Sequence, residues 1–228
     1  MTAPVFPTGK RIVTTLLVLL ALALSALTGS GGLRAEEPLH RETLHGEALV
    51  AALRSGGHVL YFRHAATDWS QQDRVAAVGD WTSCDGARVR QLSDAGRATA
   101  RQVGAAMRRL GIPVGRVYSS EYCRAAETAR LLDVGEVVTT RDLMNMRAAD
   151  LMGGREQVIA RARRLLSEPP LPGTNTVLVA HGNLMRAATG VYTGEAGAGV
   201  FRVMGKNLTL VAELTPQDWQ ALAEAWGE

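Results

Sequence analysis

Arg63 and His64 close the stretch VLYFRHA, in which four apolar residues stop at a cation and an imidazole. Farther along, YSSEYCR holds Ser119, Ser120 and Arg124, and VLVAHGN leads to His181. Two arginines and two histidines at the ends of three such runs have the composition of a phosphate site. Guanidinium forks match phosphate oxygens, and helix N-termini present free N–H groups to anions. A neutral histidine keeps one ring-nitrogen lone pair near pH 7 and is a covalent nucleophile. In that role His64 needs its other ring nitrogen pinned by an acceptor. The remaining groups then hold the three equatorial oxygens of a transferring phosphoryl group. An Arg-His pair after a strand is otherwise a surface exit, and His181-Gly182 says no more by itself. The weight lies in all three strand ends together. His40, His45 and His58 read as surface or loop histidines.

Those side chains converge only if the runs that carry them are neighbouring parallel strands. Val59 to Phe62 and Thr176 to Ala180 are continuously apolar, as strands covered on both faces are. Arg116 to Ser119 and Val137 to Thr140 read as further strands, and Leu208 to Leu214 alternates like an edge strand. Helices are expected at Thr43 to Ser55, from Ser93 as cap to a stop at Gly111 and Pro113, and at Glu121 to Leu132 with Ser120 as cap. Others are expected at Arg155 to Leu166, from Leu184, and from Thr215-Pro216. Residues 141 to 153 are ambiguous. Residues 66 to 92 and Gly190 to Gly205 read as irregular loops walling a pocket. Strands alternating with helices argue for a doubly wound parallel sheet, whose ligands sit beyond the carboxyl ends of the strands.

The 228 residues, 46% hydrophobic, suit one domain behind a leader. Residues 1 to 35 have the anatomy of a signal peptide: Lys10 and Arg11, the apolar run Ile12 to Leu27, then TGSGG. The alternative is a membrane anchor, for which the run falls short of the roughly 20 residues that span a bilayer. No stable anchor is expected once the leader is removed. The net charge of +3 resides in Lys10, Arg11 and Arg34; the remainder, 36 to 228, is neutral overall and gives no argument for nucleic-acid binding. Export would place the two cysteines, Cys84 and Cys123, where they bridge; two buried free thiols are the alternative. Neither cysteines nor histidines show the close spacing of a metal site.

Taken together, RHA, SSEYCRAAETA and LVAHGN, with LSDAGRATA between the first two, resemble the small branch of the histidine phosphatase superfamily, the phosphoglycerate mutase-like phosphatases, over residues 57 to 190. The resemblance implies a three-layer α/β/α sandwich with a mostly parallel sheet. It also implies His64 as the nucleophile that becomes phosphohistidine, Arg63, Arg124 and His181 as phosphate ligands, and no metal or other cofactor. The larger acid phosphatase branch carries a His-Asp pair where this chain has His181-Gly182. Small-branch mutases and many phosphatases resemble one another in carrying a glutamate after the strand near residue 140, where it protonates the leaving oxygen, and the matching stretch RDLMNM puts Asn145 there. An amide is no general acid. Glu195, in the loop YTGEAGAG, is the first substitute and Asp68 the second; Asp68 and Ser120 are also candidate substrate contacts. The expectation is an exported phosphomonoesterase acting on a small phosphorylated substrate. A mutase, a phosphohistidine-protein phosphatase and a non-catalytic phosphate-binding module are the alternatives.

Overall fold

The computed structural model describes residues 1–3, 39–205 and 207–227. The leader expected over residues 1 to 35 falls almost wholly outside them. Residues 39 to 228 form one compact unit. In chain order its elements are β1 (His40–Arg41), α1 (Gly46–Ser55), β2 (His58–Arg63), α2 (Asp94–Arg109), β3 (Val114–Ser120), α3 (Cys123–Leu132) and β4 (Val137–Thr140). They continue with α4 (Arg155–Leu166), β5 (Asn175–Ala180), α5 (Gly182–Thr189), β6 (Ala198–Met204), β7 (Asn207–Leu214) and α6 (Pro216–Trp226). The stretch left ambiguous after β4 winds into two 3-10 helices, Arg141–Leu143 and Met146–Met152.

The seven strands lie in the order β1-β7-β6-β2-β5-β3-β4. The pairs β1/β7, β2/β5, β5/β3 and β3/β4 are parallel, and β6 is antiparallel to both its neighbours. Period-two alternation divides the core between the two faces of the sheet. Leu60 and Phe62 of β2 join Val177 and Val179 of β5 under α1, α2 and α6, where Trp219 stacks on Phe62 with ring centroids 5.9 Å apart. Val59 and Tyr61 join Leu178 and Ala180 under α4 and α5. The chain is therefore a three-layer α/β/α sandwich with a mostly parallel sheet.

Four expectations need correction. The Gly190 to Gly205 stretch is not all loop: residues 198–204 form β6, buried beside β2. β7 is not the edge strand, because β1 pairs with its outer side. α3 begins at Cys123, capped by the backbone of Tyr122 with no side-chain cap, because the Ser120 hydroxyl is held at the end of β3 by other partners. His58 is buried, opening β2 with its amide donating to Asn175 Oδ1. Ser93 does cap α2 through the amide of Gly96, and Thr215 with Asp218 forms a capping box at α6.

The loop between β2 and α2 is tied down at several points. Thr67 bridges Leu92, Arg74 N–H donates to Arg88 O, and a disulfide joins Cys84 to Cys123, the first residue of α3, with Cα atoms 5.4 Å apart. Gly96 lets α2 approach the chain just after β2: a β-carbon there would overlap the Ala66 carbonyl oxygen.

Candidate active site

Register decides what meets what. Arg63 of β2 pairs with Ala180 of β5, and Val179 of β5 with Ser119 of β3, so the carboxyl ends of three adjacent strands are level. His64, His181 and Ser120 follow directly, and Arg124 enters from the first turn of α3. The His64 and His181 rings stand edge to face, with centroids 5.4 Å apart.

The buried His64 ring has one defined tautomer. Nδ1–H donates to the Ala65 carbonyl at 2.9 Å, which leaves Nε2 as an acceptor, and Nε2 receives the Arg124 Nε–H at 3.3 Å. Burial, then the positive charge of Arg124, push the imidazole down to about 3 against the opposing Ala65 bond, with Arg63 and Arg90 acting in the same direction as burial. The ring is thus neutral near pH 7, with its lone pair on the nitrogen that faces the arginine. Thr128 fixes the backbone here: its hydroxyl donates to Arg124 O and accepts from the Ala65 amide, linking the loop that carries His64 to α3.

His181 takes the opposite tautomer. Its Nδ1 accepts from the Asn145 side-chain amide at 3.1 Å, so Nε2–H donates to Ser120 Oγ at 2.9 Å. Asn145 is oriented in turn, because its Oδ1 accepts from Asn183 Nδ2 and from the Arg147 amide. Burial, followed by the charge of Arg124, holds His181 well below the ordinary imidazole value. The residue at the position expected of a general acid is therefore in the site, donating to a histidine.

Arg124 is fully buried and forks onto a carboxylate that the sequence did not point to. Its two terminal nitrogens lie 2.8 and 3.0 Å from the oxygens of Asp73, a loop residue whose side chain is 11% exposed. Burial acts to raise the Asp73 carboxyl. The charge and hydrogen bonds of Arg124, with the Arg90 amide, outweigh it and hold the group low. Arg90 is a second residue not anticipated, its guanidinium lying 4.0 Å from the centroid of the Trp69 ring. Arg63 donates to Tyr192 Oη at 3.0 Å and pairs with Glu195 at 3.4 Å.

Of the sequence candidates, Arg63, His64, Ser120, Arg124, His181 and Glu195 are thus gathered at one edge of the sheet. Asp68 is turned to its own loop: its carboxylate accepts from the Ser70 amide and hydroxyl and from Gln71 Nε2, and bonds to none of the others. Asp73, Arg90, Thr128 and Tyr192 were missed because each is recruited by tertiary contact. Thr128 alone had a sequence signal, lying one turn after Arg124 in the first helix beyond SSEYC. A neutral imidazole nitrogen among three guanidinium groups can bind a dianion and attack its central atom.

Residues 59–170 match the family model described as Histidine phosphatase superfamily (branch 1), a span that holds Arg63, His64 and Arg124 and stops short of His181. No curated protein matches the sequence. Among solved structures, the protein histidine phosphatase SixA complexed with tungstate aligns at 17% identity over 71% of this chain and 98% of its own, with a TM-score of 0.50. A phosphoserine phosphatase variant from Entamoeba histolytica in complex with phosphoserine aligns at 14% identity over the same shares, with a TM-score of 0.49. A mycobacterial glucosyl-3-phosphoglycerate phosphatase aligns at 22% identity over 64% of this chain and 90% of its own, with a TM-score of 0.45. The first of these likenesses shows the fold, which is that of the phosphoglycerate mutase-like proteins.

Proposed function

We propose that this chain, which carries the histidine phosphatase superfamily (branch 1) segment over residues 59–170, is an exported phosphomonoesterase that works through a phosphohistidine on His64. The observation that carries the reading is the tautomer of His64. With Nδ1–H committed to the Ala65 carbonyl, Nε2 keeps a lone pair beside the Arg124 guanidinium. In the first step Nε2 attacks phosphorus, the N–P bond forms, and the ester P–O bond breaks as the leaving oxygen takes a proton. In the second, water attacks phosphorus, gives a proton back to the group that protonated the leaving oxygen, and the N–P bond breaks, returning the neutral ring and releasing phosphate. Arg63, Arg124 and the Nε2–H of His181 hold the equatorial oxygens; Arg124 exchanges Asp73 for the phosphate, and His181 exchanges Ser120.

Glu195, beside Arg63, is the carboxylate we assign as proton donor in preference to Asp68, whose oxygens are engaged in their own turn. The leader-like residues 1 to 35 and the Cys84–Cys123 disulfide support export, since disulfides persist in oxidising compartments.

One observation favours a second reading. Asn145 stands where an acid is expected, and a nitrogen-bound phosphoryl group leaves with less acid assistance than an ester. A phosphohistidine-protein phosphatase fits that feature, as does the likeness to SixA, which is described as a protein histidine phosphatase.

The deciding experiment measures p-nitrophenyl phosphate hydrolysis in chelator by the purified protein and by His64→Ala, with mass spectrometry of the His64 peptide after an acid-free quench. Turnover lost in the variant, with a phosphate adduct on the wild-type peptide, supports the proposal. No turnover, together with stabilisation by vanadate, replaces it with the binding module. Rapid transfer from a phosphohistidine peptide with slow ester hydrolysis favours the second reading.

A further inference from the structure

We propose that a cavity of about 570 Å³ beside the phosphate cradle, lined by Arg147, Arg155, Arg186, Asn183, Tyr192 and Met146, binds a second anionic group of the substrate. The natural substrate class is then a phosphomonoester bearing another phosphate or carboxylate. The inference rests on the phosphatase reading and deepens it.

Three different elements bring the arginines together: the 3-10 helix Met146–Met152, the first residue of α4, and α5. Among the described residues none of the three has a carboxylate partner, although Arg97, Arg116, Arg141 and Arg164 are all paired within 3.1 Å elsewhere in the chain. Within α4 the contrast is sharper. Arg161 and Arg164 reach Asp142 and Arg163 reaches the Ala188 carbonyl, whereas Arg155 is left to the cavity. Uncompensated like charges around one concavity raise its potential and favour an anion there. All three side chains are exposed and within reach of a ligand.

The cavity also shares its walls with the cradle. Asn183 holds the Asn145 amide that donates to His181. Two guanidinium groups lie against the Tyr192 ring, Arg63 at 5.4 Å and Arg186 at 4.4 Å from its centroid, and the Tyr192 hydroxyl accepts from Arg63. A substrate phosphorylated at the cradle therefore extends past Tyr192 into the arginine cluster, and forked donors there suit phosphate or carboxylate.

The test compares alkanediol bisphosphates of three to six carbons with the matching monophosphates, by kcat/KM in the wild type and in R155M/R186M. The expected result is about a tenfold preference for the best-fitting bisphosphate, beyond the factor of two that two equivalent ends supply. That preference should shrink as salt rises and fall to about two in the variant. A general loss of catalysis lowers both substrates alike and leaves the ratio intact. The exposed single variants R155Q and R186Q carry the same expectation at smaller size if the double variant is poorly folded. A wild-type ratio of two or less at every length, or a ratio untouched by the substitutions, overturns the proposal. Calorimetric binding of the same pairs to His64→Ala gives a ratio that needs no turnover. An inactive wild type thus sinks the phosphatase reading while the binding ratio still decides the second site.

Discussion

Replacing Asp73 by Asn should weaken the fold and strengthen its grip on anions. Arg124 is fully buried and its two terminal nitrogens are saturated by the Asp73 carboxylate. Removing one partner of a buried ion pair costs about 3 to 5 kcal/mol, because the other charge is left without compensation. Asparagine retains one acceptor oxygen and the Asp73 side chain is 11% exposed, which brings the loss just below that range, to about 2 to 3 kcal/mol. For a domain of this size that is a fall of roughly 5 to 10 °C in Tm. Vanadate tests the second half of the argument. In the wild type the oxyanion must displace the Asp73 carboxylate from Arg124; in the variant it competes only with a neutral amide oxygen. Binding tightened about tenfold returns about 1.4 kcal/mol at saturation, so vanadate should close roughly half of the Tm gap. Thermal melts of both proteins, with and without vanadate at pH 7.5, read both halves. An unchanged Tm, or a gap that vanadate widens, would refute the reasoning, the latter because Asp73 would then be helping to bind the anion.

Acid should destabilise the protein through its buried histidines. His64 and His181 stay neutral in the folded state while the unfolded chain takes up protons below about pH 6.5, so stability is complete above that value and is lost as pH falls from there towards the folded His64 value of about 3. The loss is about 2 kcal/mol for His64 at pH 5, with His181 acting in the same direction, and urea unfolding that gives equal stability at pH 8 and pH 5 would contradict it. Gly96→Ala forces a methyl group against the Ala66 carbonyl and should cost about 2 kcal/mol or more together with much of the activity, checked by melting and kcat/KM. Cys84→Ser/Cys123→Ser removes a 39-residue cross-link worth roughly 3 to 4 kcal/mol, and dithiothreitol should reproduce the loss in the wild type only. Asn145→Asp presents a carboxylate to His181 Nδ1 and should raise the titration point of that ring, seen as histidine chemical shifts moving with pH where the wild-type ring stays constant.

Much of this architecture is legible in the sequence, and the exceptions have physical causes. Val59 to Phe62 and Thr176 to Ala180 are apolar on both faces because helices cover both faces, a pattern that survives without knowledge of the partners. The cap at Ser93 and the bounds of α4 are local and were readable for that reason. β6 was hidden: its glycine-rich entry, GEAGAG, looks like loop, and only pairing with β2 and β7 makes it a strand. Ser120 was expected to cap α3 because serine commonly does, yet the His181 ring takes its hydroxyl instead. The strand ends announced Arg63, His64, Arg124 and His181 through their shared topological position. Asp73 and Arg90 lie in an aperiodic loop whose course depends on a disulfide and on contacts with distant residues.

The position of β2 at the centre of the sheet also sets a timetable. Both of its neighbours come from the far end of the chain, β5 beginning at Asn175 and β6 at Ala198. Pairings that bridge so much sequence are slow, since the loop must close before any contact rewards it. On a ribosome, which delivers the N-terminal part first, β2 has no strand beside it until most of the protein has been made. A message cut short anywhere before residue 204 yields a polypeptide in which His64, at the end of β2, lacks part of its full setting. The histidine that is translated early is among the last groups to acquire its chemistry.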